Sequence, residues 1–549
     1  MRLIFFLISF SVLSYSQVVY EPLHRDVYNF LGRLSQKSVI DFNDNIRPLP
    51  RKYIAEKLNE ASKQIELLTS LEKEELEFFK KDYLFEINFI SEVKNDSVYT
   101  GFFRKDKTGR LRLFSFNNQL FKLNLSPILG LKIGSRDKTR LSHLWNGISL
   151  YGYVEDFIGY SFDFRDNTEA GEKIDKNKDF TPVTGVHERS SNVLANYSEN
   201  KIEYSEVTAN ISLSWNWGSF SAGKGFFEMG YGESGLLVLS QKAPSFPYIR
   251  LDVSPVDWLS FNYIHGWLAS DVIDSSQIYY TGLNNQRLSF RKKFLASHTL
   301  TLRPVKGLSI SVGESIVYSD NLELVYLIPL MFFRIADHHL SRQANTAGGN
   351  AQFFFGISSK GHLKNTHLYG TLFIDEITLG GLFDPVKQRN QLGFTLGGSI
   401  SDFPFNNLTL KIEYTKIYPF VYKHFIPTIP YQSASYNLGH WMGHNADQIY
   451  LSMNYRILRG LQATLWGQYI RKGEDGTFQQ QHEIQPQPPF LFGLRTNYTY
   501  AGLIIKYEFL HELFARVEIQ STEISKQQND LSYVGHRLNE FYLSVYYGL

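Results

Sequence analysis

Apolar and polar residues alternate along most of this chain. Ile211, Leu213, Trp215 and Trp217 interleave with Ser212, Ser214, Asn216 and Gly218, and Leu308, Ile310 and Val312 interleave with Ser309, Ser311 and Gly313. Ile449, Leu451, Met453, Tyr455 and Ile457 interleave in turn with Tyr450, Ser452, Asn454 and Arg456. A period of two predicts strands with one greasy and one polar face. The pattern runs from about Leu111 to Leu549, punctuated by turn chemistry such as Pro304 to Gly307 or Arg459-Gly460. Such strands fit either a large soluble β-sandwich or a membrane barrel with a polar lumen.

The N-terminal part has a different period. Val27, Phe30, Leu31 and Leu34 are spaced i, i+3, i+4, i+7, one face of a helix. Asp41 to Pro50, with its turn residues and two prolines, separates this helix from a second marked by Ile54, Leu58 and Ala61. A third is predicted from Leu71 to Phe79. A helical element of this size holds little core alone, so it is expected to pack on something larger.

The first residues read as a secretory signal: Met1-Arg2, an apolar run from Leu3 to Leu13, then Ser14 to Ser16, with cleavage expected after Ser16. The run is about half the ~20 residues a spanning helix needs. The longest apolar-rich stretch elsewhere, Leu322 to Phe333, is broken by Glu323 and Pro329. The expected division is 1–16 signal peptide, 17–95 periplasmic helical element and 96–549 barrel.

Composition sharpens the choice. Aromatics make up 15% of the chain, with 43 Phe and 34 Tyr, yet mean hydropathy is only −0.23. A lipid-facing wall with aromatic girdles around a polar lumen accounts for both values. The last row, Phe541, Leu543, Val545, Tyr547 and Leu549, backed by Tyr542, Ser544, Tyr546 and Gly548, resembles the terminal strand of outer-membrane barrels. Those usually end in Phe, where this chain has Leu549. The residues from about 111 on accommodate roughly 16–20 strands, with eighteen expected. Such a lumen is wide enough for water unless filled, and the helical element is a candidate cap. The absence of cysteine excludes disulfides, thiolate metal sites and a lipidated N-terminal Cys. With 56 basic against 54 acidic residues, nothing points to nucleic acid.

Several stretches resemble the Wzi-type capsule-assembly outer-membrane proteins: Tyr20 to His24 through Arg47 to Lys52, Gly230 to Gly232, and Leu239 to Arg250 with its Ala-Pro-Ser-Phe core. Tyr263 to Gly266, Ala296 to His298, Glu314 through Pro329 to Arg334 and His338 continue the likeness. It ends with Glu413 to Thr415, Leu438 to His440 and Gly443 to Asp447. The resemblance implies an eighteen-stranded barrel with a periplasmic helical bundle that holds capsular polysaccharide at the surface. It implies no catalytic residue and no cofactor. The partners expected are outer-membrane lipid and surface polysaccharide, for a monomer exported to the cell outer membrane. The alternative function is a porin-like diffusion channel.

Glycan recognition needs aromatic faces for sugar rings and planar polar groups for hydroxyls. Tyr418, Tyr422, Tyr431, Tyr436, Asn437, Trp441 and Asn445 have that make-up, as do Tyr279 and Tyr280 beside Asn284, Asn285 and Gln286. The rival reading places these tyrosines in the interfacial girdle. His440, His444 and Asp447 have metal-like spacing, but Gly439, Gly443 and Asn445 argue against the helix it needs. His338-His339 would point to opposite faces of a strand. Gly232 to Gly235 lacks the second spaced glycine of a nucleophile elbow, and His511-Glu512 has Ala515 where a metalloprotease needs histidine. Arg165 to Asp179 reads as a solvated outer loop.

Overall fold

The computed structural model describes residues 18–91, 98–118, 120–155, 157–186, 194–344, 348–377, 384 and 389–548. The expected signal peptide, 1–16, and the terminal Leu549 lie outside them.

Helices α1 (Val27–Gln36), α2 (Arg51–Lys63), α3 (Ser70–Asp82) and α4 (Leu84–Ile90) form the N-terminal element. Val27, Phe30, Leu31 and Leu34 of α1 are buried against Ile54, Leu58, Leu76 and Phe79. Helix α3 opens on a capping box, in which the Thr69 side chain accepts from the Glu72 N–H while Glu72 accepts from the Thr69 N–H.

Eighteen long antiparallel strands among the described residues then close into a barrel. They are β1 (Phe121–Arg136), β2 (Thr139–Val154), β3 (Ile158–Ala170), β4 (Lys201–Trp215), β5 (Gly218–Gly225), β6 (Phe246–Val256), β7 (Leu259–Leu268), β8 (Lys293–Val305) and β9 (Leu308–Ser319), followed by β10 (Asn350–Lys360), β11 (Thr366–Glu376), β12 (Gln391–Ser401), β13 (Leu408–Ile417), β14 (Ala446–Leu458), β15 (Leu461–Lys472), β16 (Thr496–Leu510), β17 (Leu513–Gln527) and β18 (Tyr533–Tyr547). Closure runs from Glu540 opposite Arg136 to Tyr547 opposite Leu129. The alternation read from the sequence is the in–out alternation of the wall: Ile449, Leu451, Met453, Tyr455 and Ile457 are exposed outside, while Ser452 and Arg456 are buried within. Among the described residues no helix is long and apolar enough to cross a membrane.

One barrel end carries short turns such as Asn216-Trp217, Lys306-Gly307, Arg459-Gly460 and His511-Glu512, and the other carries the long loops. The helices sit on the short-turn end. Lys506 binds Asp26 at 2.8 Å, Gln36 donates to the Ser399 carbonyl at 2.9 Å, and Arg456 pairs with Glu75.

Two long loops, 226–245 and 418–445, turn inward and fill part of the lumen. Leu237, Val238 and Leu239 pack with Tyr422, Tyr431, Trp441 and Met442 against inward-facing Ile264, Leu295, Phe373 and Ile417. The N-terminal element reaches this plug as well, since Ile46-Arg47 pairs antiparallel with Glu228-Met229.

The apolar stretch at 322–333 lies on the outside of the barrel. Tyr326 and Phe333 pack on the outer faces of Tyr263, Phe294, Ile316 and Tyr318. Glu314, which would otherwise face lipid, accepts the first N–H groups of α5 (Phe333–Ala344) at 2.8 and 2.7 Å. His338-His339 therefore lies on a helix, where a strand was expected. Arg165 to Asp179 also departs from expectation. Its first residues extend β3 to Ala170, and Lys178 is buried against Glu169.

Candidate functional site

The plug leaves the part of the lumen against β1–β4 and β14–β18 open, as a cavity of about 1070 Å³. It extends from Ile524 and Leu538 at the long-loop end down to Lys132, Ile504 and Arg516. On the side towards the N-terminal element it is lined by Arg47 and Glu228.

A row of rings lies along one wall. Tyr450 on β14, Trp466 on β15 and Tyr500 on β16 follow one another at 6.4 and 6.4 Å, with ring planes within 24° and 26° of parallel. Tyr498 stands 6.3 Å from Tyr500 at 10°, then Phe180 4.5 Å from Tyr498, and Trp441 5.0 Å from Phe180. The row crosses adjacent strands because same-face residues on tilted neighbours meet diagonally. Gly502 makes room for it, since a Cβ there would lie 2.6 Å from the Trp466 indole.

Beside the rings the wall carries charge-compensated polar groups. Lys132 pairs with Glu518 at 3.0 Å, Arg136 with Glu540 at 2.6 Å, Lys178 with Glu169 at 2.9 Å, Arg47 with Glu228 at 2.9 Å and Arg165 with Glu206. Gln520 Nε2 donates to Glu540 and Thr522, both at 3.0 Å. Lys242, on the inward loop, donates to the carbonyls of Lys178 and Val183, and burial pushes its ammonium down to about 8. Among the described residues no group of three or more His, Asp or Glu side chains is arranged to hold a metal ion.

The candidate residues read from the sequence fall in three places. Tyr279 and Tyr280 are exposed on a small hairpin, paired with Arg287 and Gln286. Tyr422, Tyr431, Tyr436 and Asn445 are buried in the plug, where they hold backbone. Tyr422 donates to Leu237 O at 2.7 Å, Tyr431 to Val238 O at 3.0 Å, Tyr436 to Val186 O at 2.8 Å and Asn445 to Glu474 O at 2.8 Å. Asn437 accepts from Gln432 at 3.1 Å, and Tyr418 is half-buried beside Lys416. Trp441 borders the cavity, its indole N–H donating to Ser234 O. Tyr450, Trp466, Tyr498, Tyr500 and Phe180 were not singled out from the sequence. Their signal was there, because the alternation already placed Tyr450 on the polar face with Ser452 and Asn454.

Fold and lumen together define a transmembrane β-barrel of porin size whose interior is partly filled by its own loops. A solved structure similar to it over nearly its whole length is that of Wzi, an outer membrane protein involved in group 1 capsule assembly in Escherichia coli, described as a carbohydrate-binding β-barrel. The likeness covers 97% of this chain and 100% of that one, at a TM-score of 0.55 and 13% identity. Pseudomonas aeruginosa OprD (TM-score 0.40, 12% identity, 78% of this chain and 95% of that one) and Acinetobacter baumannii OccAB4 (0.43, 10%, 78% and 97%) share the barrel more loosely. No protein-family model and no curated protein matches the sequence.

Proposed function

We propose that this protein is a non-enzymatic outer-membrane barrel that tethers or organises capsular or other surface polysaccharide. The observation that carries this reading is the obstructed lumen: a barrel of this size has room for a water channel, yet its outer half holds a packed apolar core and its short-turn end is covered by helices. That arrangement suits holding better than passage. The fold it shares with Wzi supports the same reading. The exposed apolar wall suits outer-membrane lipid, the closed sheet leaves no edge that needs a partner copy, and residues 1–16 would direct export.

The test is surface glycan retention in a deletion strain, scoring cell-bound against shed polysaccharide with the restored gene as control. Polymer is expected to move from cell to medium and to return on restoration. An unchanged partition would rule the tether out and put the channel reading first.

A further inference from the structure

We infer that the open part of the lumen is a binding site for a chain of neutral pyranose sugars, with Tyr450, Trp466, Tyr500, Tyr498 and Phe180 as its stacking track. The inference rests on the proposed tethering role and adds where in the molecule the glycan is held.

Four features of the cavity carry it. The rings occupy lumen-facing positions, so they cannot belong to the girdles that anchor a barrel in its bilayer, which face outward. The rings line a cavity whose wall is part apolar and part polar, and the C–H face of a sugar ring packs on aromatic surface of this kind. The row is continuous over five rings, with near-parallel planes from Tyr450 to Tyr498, as a linear chain of rings requires. Gly502 sits where any side chain would push the Trp466 indole away from the wall.

The polar side of the cavity narrows the ligand class. Gln520, Glu540 and Arg136 present planar donors and acceptors, linked to one another and to the Thr522 hydroxyl, the chemistry that pairs with adjacent hydroxyls. Five of the lining carboxylates, Glu169, Glu206, Glu228, Glu518 and Glu540, each have a basic partner. An anionic glycan would have to displace these pairs, whereas a neutral one leaves them intact.

The experiment uses the purified full-length protein in detergent. Maltohexaose and cellohexaose are the neutral probes and a hyaluronan hexamer the acidic one, followed by tryptophan fluorescence and calorimetry. Saturable binding of at least one neutral probe is expected, with hyaluronan at least tenfold weaker. Trp466→Ala and Tyr500→Ala should each weaken binding tenfold or more, while Trp466→Phe stays within threefold of wild type. Wild-type heat-modifiable gel mobility in the alanine variants separates a lost site from a lost fold. No saturable binding of either neutral probe, tighter binding of hyaluronan, or alanine variants that bind like wild type would overturn the site. In cells the two readings separate. Retention lost on deletion but kept in Trp466→Ala/Tyr500→Ala removes this site and leaves the tether, whereas retention kept on deletion removes the tether itself.

Discussion

Arg110 ties three parts of the chain together. Its guanidinium pairs with Asp82 at the end of α3 at 3.0 Å and with Glu512 in a barrel turn at 2.5 Å, while Arg25 pairs with the same two carboxylates from the loop before α1. Removing one member of such a buried cluster strands the charges it faced, so Arg110→Met is expected to lower stability by roughly 3–5 kcal/mol, read as the shift in the urea midpoint. The cluster also sets a pH dependence. Burial raises the Glu512 carboxyl, but Arg110 and Arg25 outweigh it and hold the group at about 2, against an ordinary value of 4.5. Its contribution is therefore full above pH 4.5 and lost as pH falls through about 2. Next to it His511 stacks on Phe78 of α3 at 3.8 Å, and burial pushes its imidazole down from 6.5 to about 4. A depressed histidine favours the docked state in its neutral form, so it opposes docking increasingly as pH falls from 6.5 towards 4. Acid is thus expected to loosen the helices from about pH 6.5 downward, read by hydrogen exchange in α3. His511→Phe keeps the stack without the titration, so its loosening between pH 6.5 and 4.5 should be smaller than that of wild type, the remainder coming from His24, whose imidazole burial also depresses; loosening unchanged from wild type would remove His511 from the account.

At the scale of elements, the segment from Leu322 to Ala344 shows what local pattern can and cannot say. It is apolar enough to draw notice, but too broken to span, and its place depends on partners on other strands. Tyr263 donates to Tyr326 O at 2.7 Å, and His298 meets Pro329 O at 3.0 Å. It covers polar groups on the outer wall and turns Leu324, Leu330 and Ile335 outward, exposed at 74%, 81% and 64%. We expect Leu330→Arg to cost about 2 kcal/mol in lipid vesicles and Leu330→Met almost nothing, measured by unfolding in urea. Equal stability of the two would mean that the segment lies above the bilayer. The strands themselves were legible because in–out alternation is a local property, and so were the helices, through Val27, Phe30, Leu31 and Leu34. The plug was not. Tyr422 meets Leu237 across 185 residues, and nothing near either residue says that its loop turns inward. The aromatic and amide-rich make-up of 418–445 suits a sugar site and a lumen core equally well, which is why Tyr422, Tyr431 and Asn445 drew attention as binding residues although they hold the plug.

For the whole molecule, the consequence is two barriers in series. The helices close the short-turn end through ion pairs, and loops 226–245 and 418–445 obstruct the lumen through apolar packing. They touch where Ile46-Arg47 pairs with Glu228-Met229 and where the Tyr231 hydroxyl donates to Asp44 at 2.9 Å. If the helices alone blocked the barrel, deleting residues 20–90 would open a wide pore. The plug changes that expectation, because Leu237, Val238, Tyr422, Tyr431 and Trp441 are anchored by lumen-facing side chains of the wall rather than by the helices. Deletion of 20–90 removes the Ile46–Met229 pairing and uncovers the short-turn end, but leaves that core. The expected result in a planar bilayer is a silent full-length protein and a truncated one with small, unsteady conductance, far below that of an unplugged barrel of this size. Adding Leu237→Asp and Tyr431→Asp, which place charges in the plug, should convert the small conductance to a steady large one. A wide, stable pore from the truncation alone would mean that the loops are not a barrier, and the holding role would then rest on the helices.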